Sequence, residues 1–90
     1  MANTQSAVKA ARQNERRRRR NRMVRSATRT YVKKARVALV EGDIELAQEA
    51  VRQAVVALDK AAQKGIIHRN NASRRKARLM RQLNRIGQME

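Results

Sequence analysis

Residues 41–65 read EGDIELAQEAVRQAVVALDKAAQKG, and both ends of a helix are written into that stretch. Gly42 suits the left-handed position that closes a preceding helix, and Asp43 directly after it can cap the next one. Glu45 and Glu49 then fall near the positive end of the helix macrodipole, where carboxylates stabilise. Leu46, Ala47, Ala50, Val51, Ala54, Val55, Leu58, Ala61 and Ala62 keep helical spacing, the mark of one buried face. Lys60 and Lys64 lie in the last turn and Gly65 ends it. An amphipathic helix is predicted over 44–64, with a chain reversal at each end.

Upstream, Asn3 and Thr4 can cap a helix that nothing interrupts before Gly42, since proline is absent and Ala, Arg, Lys, Gln, Leu and Met dominate. Helical throughout, it would run to about 55 Å. From Arg12 to Arg22 there is no apolar side chain, so this half has no face to bury. From Met23 onward a seam is expected from Val24, Ala27, Tyr31, Ala35, Ala38 and Leu39, with Tyr31 in the core and its hydroxyl at the rim. Arg22, Arg25, Arg29, Lys33 and Arg36 fall on the opposite face.

Downstream, Ile66-Ile67 links to a third helix that begins near His68 to Asn71. Ala72, Leu79, Leu83 and Ile86 define its inner face, and Arg74, Arg78, Arg81 and Arg85 form a stripe opposite. Short connections make neighbouring helices antiparallel. The expected fold is all-α: an antiparallel three-helix bundle over 23–90, with helices at about 4–40, 44–64 and 69–86. A basic arm, 1–22, prolongs the first helix beyond the bundle. Its like charges repel, so disorder in the free chain and helix formation on a polyanion are expected. Leu58→Asp or Leu83→Asp should unfold the bundle by burying a charge.

The charge is distributed by segment. The chain of 90 residues has net charge +16, and residues 1–40 hold thirteen Lys and Arg against one acid, Glu15. Residues 41–64 are net −2 and 65–90 net +6. Helices one and three are therefore basic on their outer faces, and helix two is not. Ordinary solvated faces mix signs through Glu–Lys pairs one turn apart; neither basic stripe here contains an acid. Arg16 to Arg20 form an unbroken run that no small core can accept. A polyanion of regular phosphate spacing is the natural partner, because each neutralised phosphate releases condensed counterions.

Other classes find little support. With no Cys and one His, disulfides and thiolate metal sites are excluded, and a reducing cytosol is compatible. His68 stands beside a helix start with no carboxylate other than those of helix two, and fits a cap or a phosphate donor better than a general base. Glu41, Asp43, Glu45, Glu49 and Asp59 are explained by capping and dipole effects, and no phosphate loop or nucleophile motif occurs. No enzyme activity, cofactor or metal is expected. No stretch approaches the roughly 20 apolar residues of a membrane span. The arm lacks the apolar h-region of a signal peptide, and its arginine block is too dense for a transit peptide. A membrane-active helix would need Trp, Phe or Leu opposite the basic face. An architectural DNA-binding protein is the main rival, but it would need a dimer seam, or an apolar wedge such as Met23.

Two motifs carry a family resemblance. Met1-Ala2-Asn3, Ser6-Ala7, Lys9, the arginines leading to Asn21, Ser26, Arg29-Thr30 and Lys33-Lys34 form the first. Lys64-Gly65-Ile66-Ile67-His68-Arg69-Asn70, then Ala72, Arg74, Lys76 and Arg78-Leu79, form the second and more specific one. Together with the Gly42-Asp43 break, they resemble the bacterial small-subunit ribosomal protein S20 family over nearly the whole chain. Val8, Ala10, Asn71 and Ser73 depart from its common residues. The resemblance implies a structural, cytoplasmic, ribosome-associated protein that binds small-subunit rRNA at the 5′ domain and at the long penultimate helix of the 3′ minor domain. It implies a monomer with few or no protein contacts, and no membrane.

The expected interface follows. Arg12, Arg16, Arg17, Arg18, Arg19, Arg20, Arg22, Arg25 and Arg29 contact backbone phosphates along helix one, and Lys33 and Arg36 continue the track. Arg74, Arg75, Arg78 and Arg81 clamp from helix three, with the planar guanidinium apt for bidentate phosphate contacts. Asn21, Ser26, Thr30, His68 and Asn70 add hydrogen bonds to phosphate or to 2′-hydroxyls. The motifs of the resemblance add Lys9, Lys34, Arg69 and Lys76. Recognition rests mainly on RNA shape, because with its one aromatic, Tyr31, expected in the core, the chain lacks the aromatics that read splayed bases.

Overall fold

The computed structural model describes residues 4–89, all within three helices and their connections. Helix α1 spans Gln5–Glu41, α2 Ile44–Gln63 and α3 Arg69–Met89. Among the described residues there is no strand. Each boundary follows from a local cap. Thr4 accepts from the backbone N–H of Ala7 at 3.2 Å and opens α1; Asn3, its suggested co-cap, lies outside the described residues. Gly42 closes α1 at φ 78°, its N–H donating to the Ala38 carbonyl. Asp43 accepts from the Leu46 N–H at 3.3 Å and opens α2. Gly65, at φ 75°, turns the chain out of α2. His68 then serves as the cap of α3, its Nδ1 accepting from the Asn70 N–H at 3.1 Å.

Helix α2 lies against both α1 and α3, whereas α1 and α3 meet only over a short stretch. The core is aliphatic and small-residued: Val32, Ala35, Ala38 and Leu39 from α1, Ala47, Val51, Ala54 and Leu58 from α2, Ala72 and Leu79 from α3. Leu83 and Ile86 of α3 cover it while half-buried. Among the described residues no buried side-chain N or O lacks a partner. The molecule is 68 Å long and only 20 × 14 Å across, because α1 continues past its partners. Every residue from Thr4 to Arg20 is exposed, Asn21 is the first half-buried one, and Thr28 the first fully buried.

The seam of α1 is turned by about one residue from the expected arc. Tyr31, expected inside, is 39% exposed, and Ala27 is exposed as well. Thr28 and Val32 take their place. A threonine can enter because its hydroxyl donates to the Val24 carbonyl at 2.8 Å, so no polar group is orphaned. On α2, Leu46 is 58% exposed and also leaves the expected buried row. It sits about 100° around the helix from the Ala47–Ala54–Leu58 line, one residue step from the centre of the face.

Candidate nucleic-acid interface

Where α1 and α3 diverge above α2, they leave an open groove. Its wider part, about 390 Å³, is lined by Arg25, Thr28 and Arg29 of α1, Leu58 of α2, Ile66, Ile67 and His68 of the link, and Asn71 and Arg75 of α3. A narrower continuation of about 170 Å³ runs between Val32 and Arg36 of α1 and Arg75, Arg78, Leu79 and Gln82 of α3. Arg75 lines both. Arg25, Arg29, Arg36, Arg75 and Arg78 thus line these two adjoining stretches, above aliphatic side chains that are themselves nearly buried. Such a trough suits a phosphate backbone, since arginine forks can reach its oxygens from both sides.

Two of these arginines are held in place. Arg25 Nη2 donates to the Ile66 carbonyl at 3.2 Å, fixing α1 to the link before α3. Arg75 Nε donates to Asn71 Oδ1 at 2.8 Å, one turn earlier on α3. Asn71, in sequence only a departure from a family pattern, and Gln82, which no sequence pattern marks, are therefore groove residues that sequence reasoning misses. The i, i+4 spacing of Asn71 and Arg75 is the signal that could have found the first. His68 spends Nδ1 on its helix cap, which leaves Nε2–H as the ring's donor in the groove.

The other expected contact residues are spread more widely. Lys9, Arg12 and Arg16 to Arg20 are all exposed and distributed around the free part of α1 rather than along one side. Arg19 pairs with Glu15 at 3.0 Å. At the end of the arm Asn21 is half-buried and Arg22 exposed; Ser26, Lys33 and Lys34 are exposed on the bundle part of α1, and Arg69, Asn70, Arg74 and Arg81 on α3. Thr30 donates its hydroxyl to the Ser26 carbonyl at 2.9 Å, so its proton is already engaged. Lys76 reaches the other way, pairing with Asp59 of α2 at 2.6 Å and tying α3 to α2. On the outer face of α2, Glu49 accepts from Arg52 Nε and Nη2 at 3.1 and 2.6 Å. These hydrogen bonds hold the Glu49 carboxyl below its ordinary pKa and raise that of Arg52.

Among the described residues no group of three His, Cys, Asp or Glu side chains could hold a metal ion. No described helix is long and apolar enough to cross a membrane. The arrangement offers charge and shape.

Comparison with known proteins identifies the family. The profile of the family described as Ribosomal protein S20 matches residues 2–84. The small ribosomal subunit protein bS20 of Thermomicrobium roseum is 55% identical over 84 residues, covering 93% of this chain and 85% of that protein. The bS20 protein of Geotalea uraniireducens is 47% identical over 87 residues, covering 97% of this chain and 100% of that protein. The bS20 protein of Cutibacterium acnes is 48% identical over 84 residues, or 93% and 96% of the two chains. With a profile and full-length relatives in accord, the chain belongs to the ribosomal protein S20 family.

Proposed function

We propose that the protein is a structural, non-enzymatic constituent of the small ribosomal subunit that binds small-subunit rRNA directly and stabilises its folding during assembly. The groove between α1 and α3 carries this reading, because it gathers Arg25, Arg29, Arg36, Arg75 and Arg78 around one trough. The rRNA backbone lies in that trough. The arm, with its cations on every side, is inserted among rRNA helices rather than laid on one of them. Arg74 and Arg81 flank the groove from outside, while Lys9, Arg12 and the run from Arg16 to Arg20 neutralise phosphates around the arm. Contacts to the 5′ domain and to the long penultimate helix would join parts of the rRNA distant in sequence. The protein acts as a monomer, ribosome-associated in the cytoplasm, with its partner surface made of RNA.

The deciding experiment is binding to an rRNA 5′-domain fragment against excess DNA duplex, at about 0.3 M salt, where non-specific phosphate contacts weaken. Binding that survives the DNA is expected. Its salt dependence should fall with a log–log slope of about −6 to −7 if roughly eight phosphates are neutralised. Loss of binding to the DNA competitor, or a flat salt dependence, would overturn the reading.

A further inference from the structure

The side of α1 turned away from the groove carries a second, smaller cleft. It holds about 270 Å³ and is lined by Tyr31 of α1 and by Arg52, Gln53, Val56, Ala57 and Lys60 of α2. Tyr31 is the only aromatic residue in the chain. A lone aromatic in a bundle with this little apolar volume is expected in the core, yet Tyr31 stands at the cleft wall while Thr28 is buried instead. Val56, 41% exposed, and Ala57 supply an apolar floor. Lys60 forms no ion pair among the described residues. Arg52 spends Nε and Nη2 on Glu49 and retains the donors of Nη1. Gln53 donates to Glu49 at 3.2 Å through Nε2, which leaves its amide oxygen as an acceptor at the cleft.

We propose that this cleft receives one unpaired nucleotide of the bound rRNA, its base stacked on Tyr31 and its phosphates met by Lys60 and Arg52. The inference rests on the rRNA-binding reading above and adds a second contact on the opposite flank of the same helix. The cleft volume lies just below the range of about 300–1,000 Å³ typical of small-molecule pockets, a size suited to a single base and not to a duplex. Every base offers a π-face, so stacking needs no base-specific pattern, and the Gln53 amide can add a contact to a base edge. An apolar protein surface is a poorer match, because two cations border so small a floor. The geometry also changes the role of α2. Although α2 is the one helix without net positive charge, it supplies the cations of this site, Arg52 and Lys60. With phosphates in the groove and a base in the cleft, the rRNA would hold α1 from both flanks.

Two measurements on the full chain test this. The first is affinity for the rRNA 5′-domain fragment in Tyr31→Leu and Tyr31→Phe. Leucine keeps apolar contact and removes the ring, whereas phenylalanine keeps the ring. The expected result is a loss of about ten-fold for Tyr31→Leu and near-parental binding for Tyr31→Phe. The salt slope should not change in either, because stacking releases no counterions. Parental affinity in Tyr31→Leu overturns the site, and is also the outcome if the cleft serves a protein instead. The second measurement, which needs no substitution, is zero-length ultraviolet crosslinking of the unmodified protein to the same fragment, with the attached peptide identified. A crosslink at Tyr31 supports the site. Crosslinks confined to the arm and the α1–α3 groove overturn it while leaving the rRNA reading intact. Failure of the unmodified protein to bind rRNA in the presence of DNA overturns both.

Discussion

The guanidinium of Arg25 and the carbonyl of Ile66 join positions 41 residues apart, at 3.2 Å. The contact couples the first bundle turn of α1 to the link before α3, so a residue expected to bind phosphate also ties two elements of the bundle together. Arg25→Met keeps most of the aliphatic stem and removes the donor. It should cost about 1 kcal/mol, seen as a fall in Tm of about 4–8 °C for a domain of this size. An unchanged Tm would show that the bond contributes nothing in water.

Lys76 is the counter-case. Its ammonium pairs with Asp59 of α2, and both side chains are partly open to solvent. Such pairs contribute about 0.2–1 kcal/mol. A double-mutant cycle with Lys76→Met and Asp59→Asn should return a coupling of about 0.5 kcal/mol in thermal unfolding. Lys76→Met should also leave rRNA affinity within about two-fold, unlike Arg75→Met, which should lose close to ten-fold as a charge-assisted phosphate contact disappears. Equal losses for the two would place Lys76 on the RNA instead.

The contrast between these two cations marks what can be read from the chain. Helix ends are legible because each is made by neighbours in sequence: Thr4 with Ala7, Gly42 with Ala38, Asp43 with Leu46. The basic character of α1 and α3 is legible for the same reason, being a matter of composition along each helix. Which flank a given cation faces is not. A rotation of α1 by one residue step exchanges Ala27 and Tyr31 for Thr28 and Val32, and apolar spacing alone favours the wrong pair because Thr28 is polar. Its bond to the Val24 carbonyl, which makes burial possible, is a structural fact. Likewise Arg25 and Lys76 find partners on other elements, at sequence separations where no local pattern points.

Two glycines should respond to alanine with opposite signs. Gly42 adopts φ 78°, and a Cβ there would meet nothing within 4 Å, so the only penalty is the left-handed backbone itself. Gly42→Ala should therefore cost about 1 kcal/mol, and Gly42→Asn less, because asparagine tolerates that region. Gly87 lies inside α3, again with open space where a methyl group would stand. Gly87→Ala should raise stability by about 0.5 kcal/mol through reduced freedom of the unfolded chain. Chemical denaturation of both variants checks the pair of signs: an unchanged or stabilised Gly42→Ala would contradict the left-handed backbone there, and a destabilised Gly87→Ala the open helical site at Gly87.

Leu58 and Leu83 should separate despite their identical chemistry. Leu58 is 1% exposed at the centre of α2, whereas Leu83 covers the core from its edge. Leu58→Ala should cost about 2–4 kcal/mol, since its side chain is almost wholly buried and loses the most packing. Leu83→Ala should cost about half as much, because Leu83 is only partly buried and gives up less apolar contact. Equal costs in equilibrium unfolding would mean that α3 seals the bundle more tightly at its end than its exposure indicates.

The arm is where charge opposes the helix most directly. Arg12, Arg16 and Arg20 repeat at i, i+4, as do Arg18 and Arg22, and each such like-charge pair disfavours the helix by about 0.2–0.5 kcal/mol. Against them stand one cap, at Thr4, and one favourable pair, Glu15 with Arg19. No buried face adds to these, as every residue from Thr4 to Arg20 is exposed. Screening should then decide the helix content of the free protein. Raising salt from about 0.01 to about 1 M shortens the Debye length from about 30 to about 3 Å, below the spacing of the repelling side chains. Far-ultraviolet circular dichroism of the full chain should show helicity rising with salt. A chain beginning at Met23 should show almost none of that rise, because α2 and α3 are held by packing. A flat response in the full chain would mean that the arm's helix is already complete without screening, and that phosphates bind it rather than form it.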